Sequence, residues 1–276
     1  MANAVANVAS PRSRRSLRAI ALVYVGVIVV LPLGVICSRV IGQGAGKFWD
    51  AISSAQATKA FELTAIVAGS AVVINTVFGV GAGLLLARYR FPGKRVLSAF
   101  IDLSMSVSPI VVGLALILVY GPFNGWFGKD LHKSGFDVIY HTPGMILATA
   151  FVSLPLVLRE VVPVLEDEGI EQEQAAQMLG ANAWQRFWRI TLPTIRWALA
   201  YGVVLSIARS IGEFGAVKVV SGNISGSGQT QTATLLVDER VEQLEPGAYQ
   251  VSLVLIAIAI VAIVVVALIR PKESKS

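Results

Sequence analysis

Of 276 residues, 55% are hydrophobic and only 14% are charged, whereas a soluble domain carries about a quarter charged residues; this excludes a freely soluble globular domain and points to a helical protein of the bilayer. The net charge of +6 then belongs to membrane topology and anionic lipid and gives no support to nucleic-acid binding. Cys37 is the one cysteine, which excludes an internal disulfide and a cysteine-cluster metal site.

A helical crossing needs about 20 mainly apolar residues. Six stretches of that order lie at 18–41, 60–87, 96–121, 142–165, 196–220 and 248–270, the fourth being the weakest because Arg159 and Glu160 interrupt it. With six crossings, the segments between them alternate between two faces. One face carries fourteen basic residues: Arg12, Arg14, Arg15, Arg18, Arg88, Arg90, Lys94, Arg95, Arg186, Arg189, Arg196, Arg270, Lys272 and Lys275. The other carries six: Arg39, Lys47, Lys59, Lys129, Lys133 and Arg240. Basic flanks stay cytoplasmic, so both termini are expected inside. The expected layout is a basic cytoplasmic tail at 1–17, a transmembrane domain at 18–270 and a second cytoplasmic tail at 271–276.

The first apolar stretch is long and lacks an A-x-A cleavage site, so it reads as an uncleaved span and not as a signal peptide. Gly42–Phe48, "GQGAGKF", has the Gly-Lys of a phosphate loop. However, Ile41 stands where that loop needs its first glycine and Phe48 where it needs Ser or Thr, so no ATP site is expected in this chain. Gly79 and Gly83, four apart, clear one helix face for a close neighbour. Pro92-Gly93 makes a tight turn with basic anchors around it. In "DLSMSVSPIVVG" (Asp102–Gly113), Pro109 should kink the helix while Ser104, Ser106 and Ser108 recapture freed carbonyls. That describes either a bent packing helix or a pore-lining one. His132 and His141, nine positions apart in a polar loop with no third ligand near, read as solvent-facing histidines and not as a metal site.

A water-soluble elbow is expected at about 166–195. The acids Glu166, Asp167, Glu168, Glu171 and Glu173 precede or open a short helix and suit the positive end of its dipole. Ala175, Met178 and Leu179 form a narrow apolar stripe. Gly180 supplies a left-handed stop, and Asn182 caps a second helix in which Trp184, Phe187 and Trp188 repeat the stripe. Pro193 fits the start of the next span. Helix–turn–helix DNA binding is disfavoured, because the flanking spans pin the elbow to the bilayer. Its aromatics serve either as anchors for a partner protein or as packing against the chain's own bundle.

Further on, Arg209 and Glu213 stand at i and i+4 within a span. They are either a neutralising pair that locks helices or an arginine that shapes an anion passage with the acid holding it in place, and Gly212 and Gly215 flank the acid. The segment after residue 220 is rich in small hydroxylated residues; it either dips back towards the membrane through Thr234–Val237 or caps the outer face, and it reads best as an outer loop.

Gln174-Ala175-Ala176, then Gly180, then Ile190-Thr191-Leu192-Pro193 resembles the "EAA" loop of bacterial ABC-importer permeases. In that family this loop is the coupling helix that docks on the ATP-hydrolysing subunit. The resemblance implies coupling roles for Glu173, Gln174, Ala175, Ala176, Gly180, Trp184, Phe187, Trp188, Ile190, Leu192 and Pro193. The family's usual Glu is Gln174 here, with Glu173 one place earlier, so apolar docking is implied more strongly than a salt bridge. "ARSIGEFGA" (Ala208–Ala216) resembles the fifth-span signature of sulfate/molybdate-type permeases. Together with "DLSMSVSPIVVG", "FVSLPLVLREVVPVLEDEG" and "LARYRFPGKR", it makes most of 18–270 similar to CysW-type permeases of sulfate/thiosulfate importers.

The resemblance implies an all-α, six-span bundle of the type I, MetI-like class with a cytoplasmic coupling helix. It implies a T-type sister permease, a homodimeric ABC ATPase holding ATP and Mg, and an extracytoplasmic sulfate-binding protein. The chain itself is expected to hold no cofactor and to be no enzyme. Candidate pathway residues are Ser106, Ser108, Arg209, Glu213 and Gly215. Molybdate or tungstate is the alternative cargo, and a membrane scaffold that moves nothing is the reading from another class.

Overall fold

Apolar runs broken by Gly, Pro and Ser fold here into helices, as backbone groups in lipid must be satisfied within their own segment. The computed structural model describes residues 11–224, 230–245 and 247–269. The tails at 1–10 and 270–276 (with Arg270, Lys272 and Lys275) and residues 225–229 of the small-residue segment lie outside the described residues.

In chain order the long helices are α1 (Ser16–Gln43), the short α2 (Ala45–Ser53) and α3 (Ala55–Arg88). Next come α4 (Lys94–Ser106), α5 (Pro109–Tyr120) and the short α6 (Gly128–Lys133). They are followed by α7 (Thr142–Glu168), α8 (Glu171–Met178) and α9 (Ala183–Ile211). The chain closes with α10 (Gly215–Ser221), α11 (Ala233–Glu242) and α12 (Gly247–Ile269). Among the described residues, five single helices are long and apolar enough to cross a membrane, and α4 with α5 is apolar enough as a pair bent by 115° at the break. The bend has a local cause: Ser108 precedes Pro109, and a residue before proline is pushed out of the helical region. Val107 and Ser108 are accordingly extended, with ψ of 136° and 134°. Ile101 of α4 packs beside Leu158 of α7, while Val112 of α5 packs beside Met145 and Val152. The two arms of the bent pair therefore pack on different parts of α7.

The sequence marks α7 as the weakest span, yet it is the centre of the bundle, with α3 and α9 packed along it. Its apolar face, including Val157, Val161 and Leu165, is fully buried, while Arg159 lies on an exposed edge and Glu160 turns towards α9. Averaged hydropathy hides that division of faces. Val157 sits between two glycines: a Cβ at Gly79 of α3 would lie 2.9 Å from its Cβ, and one at Gly202 of α9 2.9 Å from its Cα. A Cβ at Gly83 would lie 3.3 Å from Val161, so the glycine stripe does admit a neighbour as read. A polar node crosses the same three helices. Asn75 Nδ2 donates to Ala150 O at 3.0 Å and to Ser153 Oγ at 2.8 Å, and Ser210 Oγ donates to Ser153 Oγ at 3.3 Å. Such bonds contribute on average about 0.6 kcal/mol each in a membrane bundle.

Two differences from the expected elements bear on function. The fifth span begins at Ala183, not near 196, so the second helix of the elbow runs unbroken into the membrane span. Pro193 does not mark a boundary: a π-turn at Phe187–Thr191, in which Leu192 N–H bonds to Phe187 O, precedes it and keeps the helix continuous. The segment after 230 is not all loop, since α11 buries Ala233, Leu235 and Leu236.

Replacing Gly79 with Val should cost about 1–3 kcal/mol by overpacking against Val157. Gly81→Ala, which meets open space, should be neutral or slightly stabilising; thermal unfolding in detergent checks both.

Candidate functional site: a helical elbow and a broken-helix junction

The elbow is built by local chemistry. Gly180 adopts φ +86°, and the Ala181 N–H bonds back to Ala176 O at 3.0 Å, which ends α8 in a left-handed stop. Asn182 then forms a capping box with Gln185: the Asn182 side chain accepts from Gln185 N at 2.9 Å, and Gln185 Oε1 accepts from Asn182 N at 3.0 Å. Arg186 Nη1 reaches back to Gln177 Oε1 at 2.5 Å, so the two arms are cross-linked.

Glu173 fastens this unit to the bundle. Its Oε1 accepts from Arg88 Nη2 at 3.2 Å and from Thr191 Oγ1 at 3.0 Å, while Arg88 Nη1 donates to Leu165 O. One carboxylate thus joins α8 to the ends of α3 and α7 and to the π-turn of α9. Gln174, in the place of the family's acid, is exposed, as is Ala175, while Ala176 is half-buried. Arg88 was not legible as an elbow residue, because Glu173 lies 85 positions away in sequence.

The aromatic stripe is divided. Met178, Leu179 and Trp184 are 88%, 89% and 69% exposed, and Trp188 is 49% exposed, an apolar face left uncovered by the described residues. Trp184 and Trp188 meet edge-on at 5.4 Å between ring centres. Phe187 and Leu192 turn instead onto the Val157–Leu165–Ile195 core, Ile190 is half-buried, and Pro193 is exposed.

At the far end of α9 the structure corrects one expectation. Arg209 lies in the last turn of α9, but the helix stops at Ile211, so Glu213 lies in the break before α10 and is not stacked on the same helix. Gly212, a poor helix former, lies at the stop. The ion pair forms across the end: Arg209 Nη1 to Glu213 Oε2 is 2.7 Å, with the acid side chain buried and the arginine 40% exposed. Glu213 Oε1 also accepts from Ala216 N at 3.1 Å, and its carbonyl accepts from Thr234 Oγ1 at 2.8 Å. The carboxylate therefore has a locking role, while part of the guanidinium stays open. Lys218 of α10 pairs with Asp238 of α11 at 2.6 Å, a tie that pattern reading missed.

The two breaks touch. A Cβ at Gly215 would lie 3.2 Å from Pro109 Cβ, so α10 abuts α5 where each begins. The five expected pathway residues flank these two breaks: exposed Ser106 and Ser108 on one, and Arg209, Glu213 and Gly215 on the other. Ser104 is instead buried and bonds back to Ile101 O. His132 Nδ1 lies 2.7 Å from Asp137, away from this junction in the 121–141 segment.

A bundle of broken spans carrying a cross-linked elbow defines a transport permease, and the chain belongs to the family of binding-protein-dependent transport system inner membrane components, whose model matches residues 79–275. It is a multi-pass inner-membrane protein and not itself an enzyme. It is 43% identical to the sulfate transport system permease protein CysW of Synechococcus elongatus, over 93% of this chain and 89% of that one. With CysW of Escherichia coli K12 the identity is 42%, over 79% and 72%. With the sulfate transport system permease protein CysT of the same strain it is 37%, over 87% and 86%. Among solved structures, the crystal structure of a bacterial alginate ABC transporter with its alginate pentasaccharide-bound periplasmic protein shares the fold. That likeness has a TM-score of 0.73 at 17% identity, covering 92% of this chain and 91% of that one.

Removing either Glu173 or Arg88 should loosen the elbow, because a charge-assisted hydrogen bond contributes about 1.5–3 kcal/mol. The Arg88→Ala/Glu173→Ala double variant should be no less stable than the worse single one, as read in a double-mutant cycle.

Proposed function

We propose that this chain is one of two unlike permease subunits of an ATP-driven importer of sulfate and thiosulfate. Its sister is a T-type permease, its motor a homodimeric ABC ATPase that holds ATP and Mg, and its donor an extracytoplasmic sulfate-binding protein. The chain binds no nucleotide or cofactor of its own. Relatives named as sulfate permeases, at 37–43% identity over most of the chain, support the cargo. The elbow end faces the cytoplasm with both termini, an orientation supported by the basic residues Arg88, Arg186, Arg189 and Arg196 gathered there.

The observation that carries the mechanism is an apolar face made by Met178 and Leu179 at the end of α8 and by Trp184 and Trp188 at the start of α9, the helix whose other end bears Arg209. Closure of the ATPase pair around ATP moves that face. The elbow is cross-linked and bonded to α3 and α7, so it moves as a unit, and α9 carries the displacement to the junction of the breaks. Access then switches, and the binding protein releases its dianion towards Arg209, whose open N–H groups suit an oxyanion. ATP shifts this equilibrium only as far as it binds the two arrangements unequally.

In vesicles holding the full complex, Trp188→Glu should abolish ATP-dependent uptake of radiolabelled sulfate while leaving membrane insertion intact; unimpaired flux in this variant refutes the docking role. Gly180→Pro should do the same, because proline holds φ near −65° and cannot take the left-handed turn. Arg209→Ala/Glu213→Gln removes the buried charge together with its partner. It should assemble yet transport at least about tenfold less, equal to about 1.4 kcal/mol, and wild-type uptake would make Arg209 dispensable. Stronger competition by molybdate than by thiosulfate would reassign the cargo.

A further inference from the structure

A second arginine–carboxylate pair lies at membrane depth, away from the junction. Arg159 Nη2 of α7 donates to Asp102 Oδ1 of α4 at 2.7 Å, and the two side chains are 50% and 56% exposed. Asp102 is eight residues past the start of α4 at Lys94, and Arg159 nine residues before the end of α7 at Glu168. At 1.5 Å per residue both stand about 12–14 Å from the helix ends beside the elbow. An arginine can snorkel over part of such a distance, but the short aspartate side chain cannot. Charges at this depth do not face lipid; they face a protein interior or a water-filled cavity. The described residues of this chain leave both side chains half exposed.

The pair is also tied to the junction. The carbonyl of Asp102 accepts from Ser106 Oγ, one turn before the α4–α5 break. Val157 lies against Gly202 of α9, and Arg209 is seven residues beyond Gly202, about 10 Å further from the elbow. Arg159 therefore stands on the elbow side of Arg209. Of its five N–H donors, one is committed to Asp102, and the fork sits on an exposed edge. We propose that Arg159 is a second anion-binding residue of the passage, which receives the tetrahedral oxyanion on its way from the junction to the cytoplasm, with Asp102 holding the guanidinium until the anion displaces it. This rests on the transport reading above.

The test uses the whole complex in vesicles with the binding protein. The Arg159→Met/Asp102→Leu variant replaces the pair with apolar side chains of similar size. It should assemble and hydrolyse ATP, but take up sulfate at least tenfold more slowly, with Arg159→Lys/Asp102→Asn intermediate. Uptake by the apolar variant at the wild-type rate would show that the pair only packs α4 on α7 or onto the sister subunit, and would overturn the proposal. Absence of sulfate uptake in the wild-type complex would instead overturn the transport reading, and this one with it. A separate readout needs no flux. In a Cys37→Ser background, which removes the one native cysteine, Asp102→Cys should react with a charged, water-soluble thiol reagent, and millimolar sulfate should slow that reaction severalfold. No reaction, or a rate that sulfate leaves unchanged, would overturn the assignment.

Discussion

The structure depends on one continuity, the unbroken helix from Ala183 to Ile211. Twenty-nine residues at 1.5 Å each make a rod about 43 Å long. The rod begins at Trp184 and Trp188 in the elbow and ends at Arg209 beside the break. The helix runs on through a π-turn and Pro193, and the close crossing at Gly202 presses it onto α7.

The surrounding contacts divide rigid parts from jointed ones. Glu173 binds the elbow to α3, α7 and α9 through Arg88 and Thr191, which leaves the elbow little freedom of its own. At the opposite end the long helices stop. α4–α5 and α9–α10 each break, and at the second break Glu213 accepts from the Ala216 N–H while Thr234 donates to the Glu213 carbonyl. Irregular backbone is tolerated at membrane depth where protein or a watery cavity covers it, which suits a passage and would be costly in a purely structural bundle.

Much of this was legible in the residues. Gly180 and Asn182 act through their own backbone, so the turn and its cap follow from local preference, and the structure reproduces both. The bend at Pro109 was legible as to place but not as to size, because 115° depends on what each half packs against. The rank of α7 was misjudged: a hydropathy window averages over faces, whereas burial is decided face by face, and Arg159 lies on an exposed edge. The aromatic stripe was split for a similar reason, since Phe187 finds the core of its own bundle while Trp184 and Trp188 do not.

The sequence by itself determined a membrane-spanning helical chain, the approximate places of its apolar helices, the punctuation of the elbow and the kinds of charge kept within the spans. These are properties of composition and of neighbours within a turn or two, where distance along the chain and distance in space coincide. Only the tertiary structure decided that Glu173 belongs to Arg88, that the two breaks meet at Gly215 and Pro109, and that Asp102 reaches Arg159. Each joins residues far apart in sequence, so it depends on how the helices cross, and no local preference encodes that.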